Sequence, residues 1–237
     1  MKVRTYSLFI LMIALGYVSQ LRAQNTEEQT YDREFLYGLN FHTNGGLIGG
    51  VMFKYATAIN SRNYHTLSIE AINVKHPKEV RYINSFTGST LIFGKSNYLY
   101  NIRPLYGIEH IFFRKAREKG IQVSGMASVG PTFGVVAPYM VRKVNGELVQ
   151  YNPNIDVNDI QGSGSFFDGL GKSEFEIGFA LKTSLFFELG AGKRNVAGFE
   201  VGFTLDRYAN EIILIPESAN KNVYTAGFLS LYYGIRK

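Results

Sequence analysis

Phe175-Glu176-Ile177-Gly178-Phe179-Ala180-Leu181-Lys182-Thr183-Ser184-Leu185-Phe186-Phe187-Glu188-Leu189 alternates from end to end. Its odd positions are apolar apart from Thr183, and its even positions are small or charged apart from Phe186. Past residues 190–196 the pattern resumes, with Ala197, Phe199, Val201, Phe203 and Leu205 on one face and Gly198, Glu200, Gly202, Thr204 and Asp206 on the other. A strand sends consecutive side chains to opposite faces and a helix does not, so this stretch is predicted to be a β-hairpin. In a soluble sandwich the large face would fill a core and the charged face would meet water. In a membrane barrel the large face meets lipid and the small, charged face lines the lumen.

The same alternation extends to both sides. Phe35, Tyr37, Leu39 and Phe41 oppose Leu36, Gly38, Asn40 and His42, and Leu47, Val51, Phe53 and Tyr55 oppose Gly50, Met52, Lys54 and Ala56. Register asks for an odd number of turn residues between these two strands, and Asn44-Gly45-Gly46 fits with a glycine in the left-handed conformation. Further strands place Leu67 and Ile69 opposite Ser68 and Glu70, Tyr106 and Ile108 opposite Arg103 and Glu109, Val129 and Phe133 opposite Ser128 and Thr132, and Leu229 and Leu231 opposite Phe228 and Ser230. Pro104 removes a ladder donor from the fourth strand, which predicts a bulge or distortion there.

The count is eight strands, all antiparallel, in an up-and-down transmembrane barrel. Ten are possible if 89–93 or the connection after Val141 supplies a hairpin extension. Connections at 75–96, 141–173 and 206–222 are long and those at 60–63, 114–120 and 190–195 short, as expected of a barrel with long outer loops and short periplasmic turns. The first hairpin, short where a long loop was allowed, is the exception.

The 237 residues include no cysteine or tryptophan but 25 glycines, 16 tyrosines and 18 phenylalanines. Lack of cysteine excludes disulfides, thiolate metal sites and a lipobox anchor. Lys2 and Arg4, the apolar run 8–18 and Leu21-Arg22-Ala23 have the anatomy of a secretory signal over 1–23. A polar lead-in at 24–33 and a barrel at 34–237 follow. No other apolar run approaches the ~20 residues of a spanning helix, so entry into a membrane must be by barrel. The signal carries Lys2, Arg4 and Arg22 and no acid, so half of the formal +6 leaves with it, too little to imply a nucleic-acid partner.

Signal, alternation and glycine–aromatic patterning over about 35–237 resemble the small eight-stranded outer-membrane barrel families of Gram-negative bacteria, and more loosely the PorT-like barrels linked to type IX secretion. The resemblance implies a structural or accessory envelope component, in one setting a type IX secretion or assembly complex. Its implied partners are outer-membrane lipid, lipopolysaccharide and envelope or secretion-complex proteins.

An eight-stranded interior has room only for side chains, so Lys54, Glu70, Arg103, Glu109, Lys182 and Glu200 are expected to form a polar network in a filled lumen, together with inward Met52, Phe186, Phe228 and Tyr232. Acids outnumber bases, so water or a cation is expected at the rim near Glu176 and Asp206. Some small outer-membrane barrels similar to this one are lipid A deacylases that use His and Ser on a lipid-facing surface with Asn nearby. Phe41-His42-Thr43-Asn44 is the His-x-Asn cluster here, but it lacks serine and His42 falls on the lumen face. A non-enzymatic barrel is therefore expected, with a lipid-modifying enzyme and a narrow channel or transporter as alternatives. Asn154 to Asn158 resembles the start of a calcium loop and fails at Asp159 and Ser165, where glycine and glutamate are required. No cofactor or metal is expected. In the longest connection, Asp156, Phe166, Phe167 and Asp168 are the candidate residues for a partner contact.

Overall fold

Alternation over eight long segments leaves no second layer to cover either face, and the chain resolves this by closing on itself. The computed structural model describes residues 31–83, 88–114, 120–165, 167–190 and 194–237. Its strands are β1 (Arg33–His42), β2 (Gly46–Ala58), β3 (Asn63–Val74), β4 (Arg81–Ile83), β5 (Thr90–Ile92), β6 (Asn97–Phe113), β7 (Ile121–Pro138), β8 (Met140–Lys143), β9 (Leu148–Gln150), β10 (Ile160–Ser163), β11 (Glu174–Gly190), β12 (Asn195–Ile212) and β13 (Lys221–Arg236). The eight long strands form a closed antiparallel barrel in the order β1-β13-β12-β11-β7-β6-β3-β2. The expected fold is present with eight strands, and the signal segment lies outside the described residues.

Closure is continuous. β1 and β13 pair from Glu34↔Arg236 to His42↔Phe228. The chain ends continue the seam, because Asp32 and Arg33 N–H donate to the Lys237 carbonyl at 2.9 and 3.0 Å. Outward side chains such as Phe53, Leu67, Ile69, Phe175 and Phe203 are exposed, whereas inward Lys54, Glu70, Arg103, Lys182 and Glu200 are at most 1% exposed. This inversion of the soluble pattern identifies the outer surface as a lipid belt. Lumen-side glycines let the wall curve closely. A Cβ at Gly50 would fall on the Ala71 carbonyl oxygen, and one at Gly234 on that of Phe35.

Two details differ from the sequence expectation, and the distortion expected at Pro104 takes the form of a gap in the ladder. The β1–β2 turn occupies 43–45 and is closed by the Gly45 N–H on the His42 carbonyl at 3.0 Å, with an irregularity between Asn40 and His42. The positive-φ glycines among the described residues are Gly88, Gly94, Gly120 and Gly146, none of them in that turn. At Pro104 no residue is inserted: Ile102↔Phe133 and Tyr106↔Val129 keep one register, and the ladder between them is interrupted. That register sets Pro104 opposite Pro131, and neither has an N–H to donate. The bulge of β6 lies instead between Ile111 and Phe113. Finally, the two longest connections are not bare loops, for β4–β5 and β10-β8-β9 form small sheets separate from the barrel ladder.

Val201 sits mid-strand on β12 between Leu185 and Leu229, its register partners. Val201→Arg is expected to destabilise the barrel by about 2–4 kcal/mol in urea titrations on phospholipid vesicles. A loss below about 0.5 kcal/mol would mean that this face does not meet the hydrocarbon.

Candidate functional site: a charged lumen and its cap

The lumen charges fall into two groups along the axis. Nearer the end with long connections, Glu70 of β3 and Arg103 of β6 are register partners. Arg103 reaches Glu70 Oε2 through Nη2 at 2.7 Å and Asp206 Oδ2 through Nη1 at 3.0 Å. Lys182 Nζ lies 2.6 Å from Glu70 Oε1 and 3.0 Å from Glu200 Oε1, and the Ser184 hydroxyl donates to Glu200. Asn101 donates to Asp206 at 3.2 Å and accepts from the Tyr208 hydroxyl. His42 adds its Nε2 at 3.4 Å from Arg103 Nη2 and stacks on Phe228.

Nearer the short turns, Lys54 pairs with Glu109 at 2.8 Å, and Ser124 Oγ donates to Glu109 at 2.6 Å. Arg236 joins Glu34, at 3.1 Å, to Glu188. All six residues expected to form the network thus point inward, but Glu109 belongs with Lys54 and not with Arg103. Sequence reading missed Glu34, Glu188 and Arg236, which lie near strand ends. It placed Asp206 at a rim, where water or a cation was expected. The structure buries Asp206 and pairs it with Arg103, because β12 continues as a strand to Ile212, while Glu176 accepts a hydrogen bond from Asn210 at 3.0 Å. Among the described residues no cluster of His, Asp or Glu could hold a metal.

Apolar clusters flank these groups along the axis. Val74, Leu99, Val136, Tyr208, Ile212, Leu214 and Tyr224 close the long-loop end, and Leu36, Met52, Phe186, Val196 and Tyr232 lie between the charged groups. Tyr31, Ala56, Tyr64 and Ile111 close the turn end. Tyr31, from the end of the expected lead-in, stacks on Tyr64 at 4.8 Å and lies 4.1 Å from the Arg236 guanidinium. Lys54 over Phe186 at 4.5 Å ties the middle cluster to the ions, and Lys182 lies over Phe228 at 4.6 Å, since a desolvated cation gains from an aromatic face.

Beyond the long-loop end the connections fold into one cap. Leu91, Tyr139, Val141, Tyr151 and Ile160 form its core, drawn from the β4–β5 hairpin and from the connection between β7 and β11. The Tyr139 and Tyr151 hydroxyls accept from Ile92 and Gly94 N–H at 3.1 and 3.4 Å. Lys95 is fully buried, 2.6 Å from Glu79 and 4.2 Å from the Tyr98 ring centroid. Burial pulls its ammonium below the ordinary lysine value, and Glu79 opposes this. The third connection joins through the Leu214 carbonyl, which accepts from Ser96 N–H at 2.9 Å.

Of the partner-loop residues, Phe167 is 73% exposed and Asp168 accepts from Ser165 N–H at 2.7 Å, so these two share a turn. Asp156 shapes a different turn by accepting from Asn158 N–H at 2.9 Å. Phe166 lies outside the described residues.

A closed eight-stranded barrel with an apolar outer belt and a charged, filled interior is a transmembrane β-barrel of the outer-membrane type. Among solved structures it is similar to Ail, the attachment invasion locus protein of Yersinia pestis, in complex with the heparin analogue sucrose octasulfate. The two are 12% identical over 86% of this chain and 97% of that one, with a TM-score of 0.40. Neisserial surface protein A is 8% identical over 86% of this chain and 96% of that one, with a TM-score of 0.42. Likeness at such identities concerns the fold alone. No family model matches the chain, and no curated protein matches it.

Arg103→Ala would leave Glu70 and Asp206 without their shared cation. The expected destabilisation is about 3–5 kcal/mol, whereas Arg103→Met with Glu70→Gln and Asp206→Asn should lose less than the single change. Urea unfolding of both variants in vesicles checks this. A triple variant weaker than Arg103→Ala would contradict a network whose stability depends on pairing.

Proposed function

We propose that this chain is a non-enzymatic barrel of the cell outer membrane, closed to solutes, which holds a folded cap at the cell surface as a structural or accessory component of the envelope. The observation that supports the reading is that three apolar clusters and two ion-paired groups are buried one after another along the lumen. A channel needs a continuous polar path, and each layer interrupts one. Short turns face the periplasm, which sets the cap and its long connections outside.

Outer-membrane lipid and lipopolysaccharide surround the belt, and the cap supplies the face for envelope proteins. Resemblance to the PorT-like barrels favours a secretion or assembly complex of the type IX kind as its setting. Phe167 and Asp168, with Asp156 on a second turn of the same connection, are the proposed contact among the described residues. The lipid A deacylase alternative loses its cluster, since His42 is buried against Arg103 and cannot reach lipid A.

Two measurements test this reading. In intact cells an impermeant thiol reagent should label Asp156→Cys and spare Arg194→Cys; the reverse pattern would overturn the orientation. In mild detergent the wild-type chain should migrate with partners on native gels, and Phe167→Ala with Asp168→Ala should release them. Migration at monomer size in every case, together with altered lipid A or phospholipid species when the protein is present, would favour the enzyme.

A further inference from the structure

The outer wall is not a uniform belt. Across β1, β2, β3, β6 and β7 the register lines up Phe35, Tyr55, Leu67, Tyr106 and Val129, and the next outward row toward the cap contains Phe53 and Ile69 and ends in the opposed Pro104 and Pro131. Two short prolines beside tall aromatic side chains leave a groove of about 540 Å³ lined by Phe53, Tyr55, Ile69, Pro104, Tyr106 and Pro131 among others. That volume is in the range of roughly 300–1,000 Å³ typical of small-molecule sites.

Toward the short-turn end the same wall becomes polar. Tyr106, which lines the groove, has its hydroxyl 2.5 Å from His65 Nδ1. Beside this pair, His110 Nδ1 lies 2.7 Å from Asn63 Oδ1, and Asn63 and His110 are register partners. Asn63 donates its own amide to Asn60 Oδ1 at 3.0 Å, which turns its oxygen toward the histidine. His110 therefore donates from Nδ1, and its Nε2 is left as an acceptor. The phenol of Tyr106, the better donor of its pair, gives its proton to His65 Nδ1, so the His65 Nε2–H is left as a donor. Exposed Arg33, on the row of His65 through Thr57, and exposed Arg62, in the turn before β3, add positive charge.

We propose that this wall is a phospholipid-binding site, with one acyl chain in the groove and the headgroup at His65 and His110. The phosphate accepts from His65 Nε2–H with Arg33 and Arg62 nearby, and a hydroxyl or ammonium of the headgroup donates to His110 Nε2. Phosphatidylglycerol and phosphatidylethanolamine supply both an acceptor and a donor. Phosphatidylcholine, whose headgroup has no donor, does not. The choice of a phospholipid over lipopolysaccharide rests on the orientation proposed above, which puts the two histidines in the periplasmic leaflet. A second outer groove, of about 390 Å³ and lined by Leu181, Thr183, Phe203, Thr225 and Gly227 among others, has no histidine, tyrosine or cation in its lining and serves as a control.

Native mass spectrometry of the full chain in detergent, loaded separately with each of the three phospholipids and with lipopolysaccharide, tests the site. One phosphatidylglycerol or phosphatidylethanolamine should be retained, and phosphatidylcholine roughly tenfold less. Two variants, His65→Ala with His110→Ala and the groove-filling Pro131→Leu, should each lower retention by about tenfold. Gly227→Leu in the control groove should leave it unchanged. The histidine variant changes only exposed side chains, so a folding failure of Pro131→Leu leaves the test intact. The proposal is overturned if phosphatidylcholine is retained equally, if the histidine variant retains lipid as wild type does, or if Gly227→Leu loses it to the same extent. Preferential retention of lipopolysaccharide would overturn the lipid class. These results are independent of whether the cap has a protein partner.

Discussion

In hydrocarbon a backbone N–H or C=O without a partner costs several kcal/mol, and the rest of this structure depends on that constraint. The β1–β13 seam meets it by removing the last open edge. Closure with eight strands then fixes a lumen just wide enough for side chains. The inner faces accordingly combine glycine, small polar residues and charges in complementary positions with large apolar side chains such as Phe186, Phe228 and Tyr232. Arg103 serves two carboxylates and Lys182 two, with Glu70 common to both, so the wall is cross-linked through its middle by ions as well as around its circumference by the ladder.

Ions alone would leave a wettable path. On the reading proposed above, the aromatic and aliphatic clusters keep water from the pairs, which raises the penalty for separating them. Seal and network are therefore one device, and the cap extends it outward. Leu214 belongs to the layer at the barrel mouth, and its carbonyl holds the start of β6, from which the Lys95–Glu79 pair and the Tyr139–Tyr151 core are reached within a few residues. Outside the seal the wall has a direction of its own: Pro104 and Pro131 leave a hollow on one side, and Tyr106 links it to the histidines near the turns.

Much of this was legible in the residues because a period of two is a strong signal when each strand has one lipid face and one lumen face. Alternation gave the strands, their number, their faces and the inward position of all six expected charges, and loop lengths agreed with the count apart from the first hairpin. The partners of those charges were not legible. Neighbours across a lumen depend on strand tilt and stagger, which fix how high Asp206 of β12 stands relative to Arg103 of β6, and no local pattern encodes that. Strands at 89–93 and after Val141 were visible only as possible extensions of the barrel, because three or four residues are too few for a period to show that they form separate sheets, and their burial comes from contacts between connections far apart in sequence. At Pro104 the missing donor and a distortion were visible, but the choice between a bulge and a gap in the ladder was not, since that required knowing that Pro131 stands opposite.

The central claim is that the interior is a sealed, ion-paired solid and not a pore. Single-channel recording from the purified chain in planar bilayers tests it most directly. The account predicts no stable conductance across the physiological voltage range, with at most brief, rare openings. A stable, well-populated open level would contradict it, because such a level requires a continuous water path past the buried Tyr208, Phe186 and Tyr64.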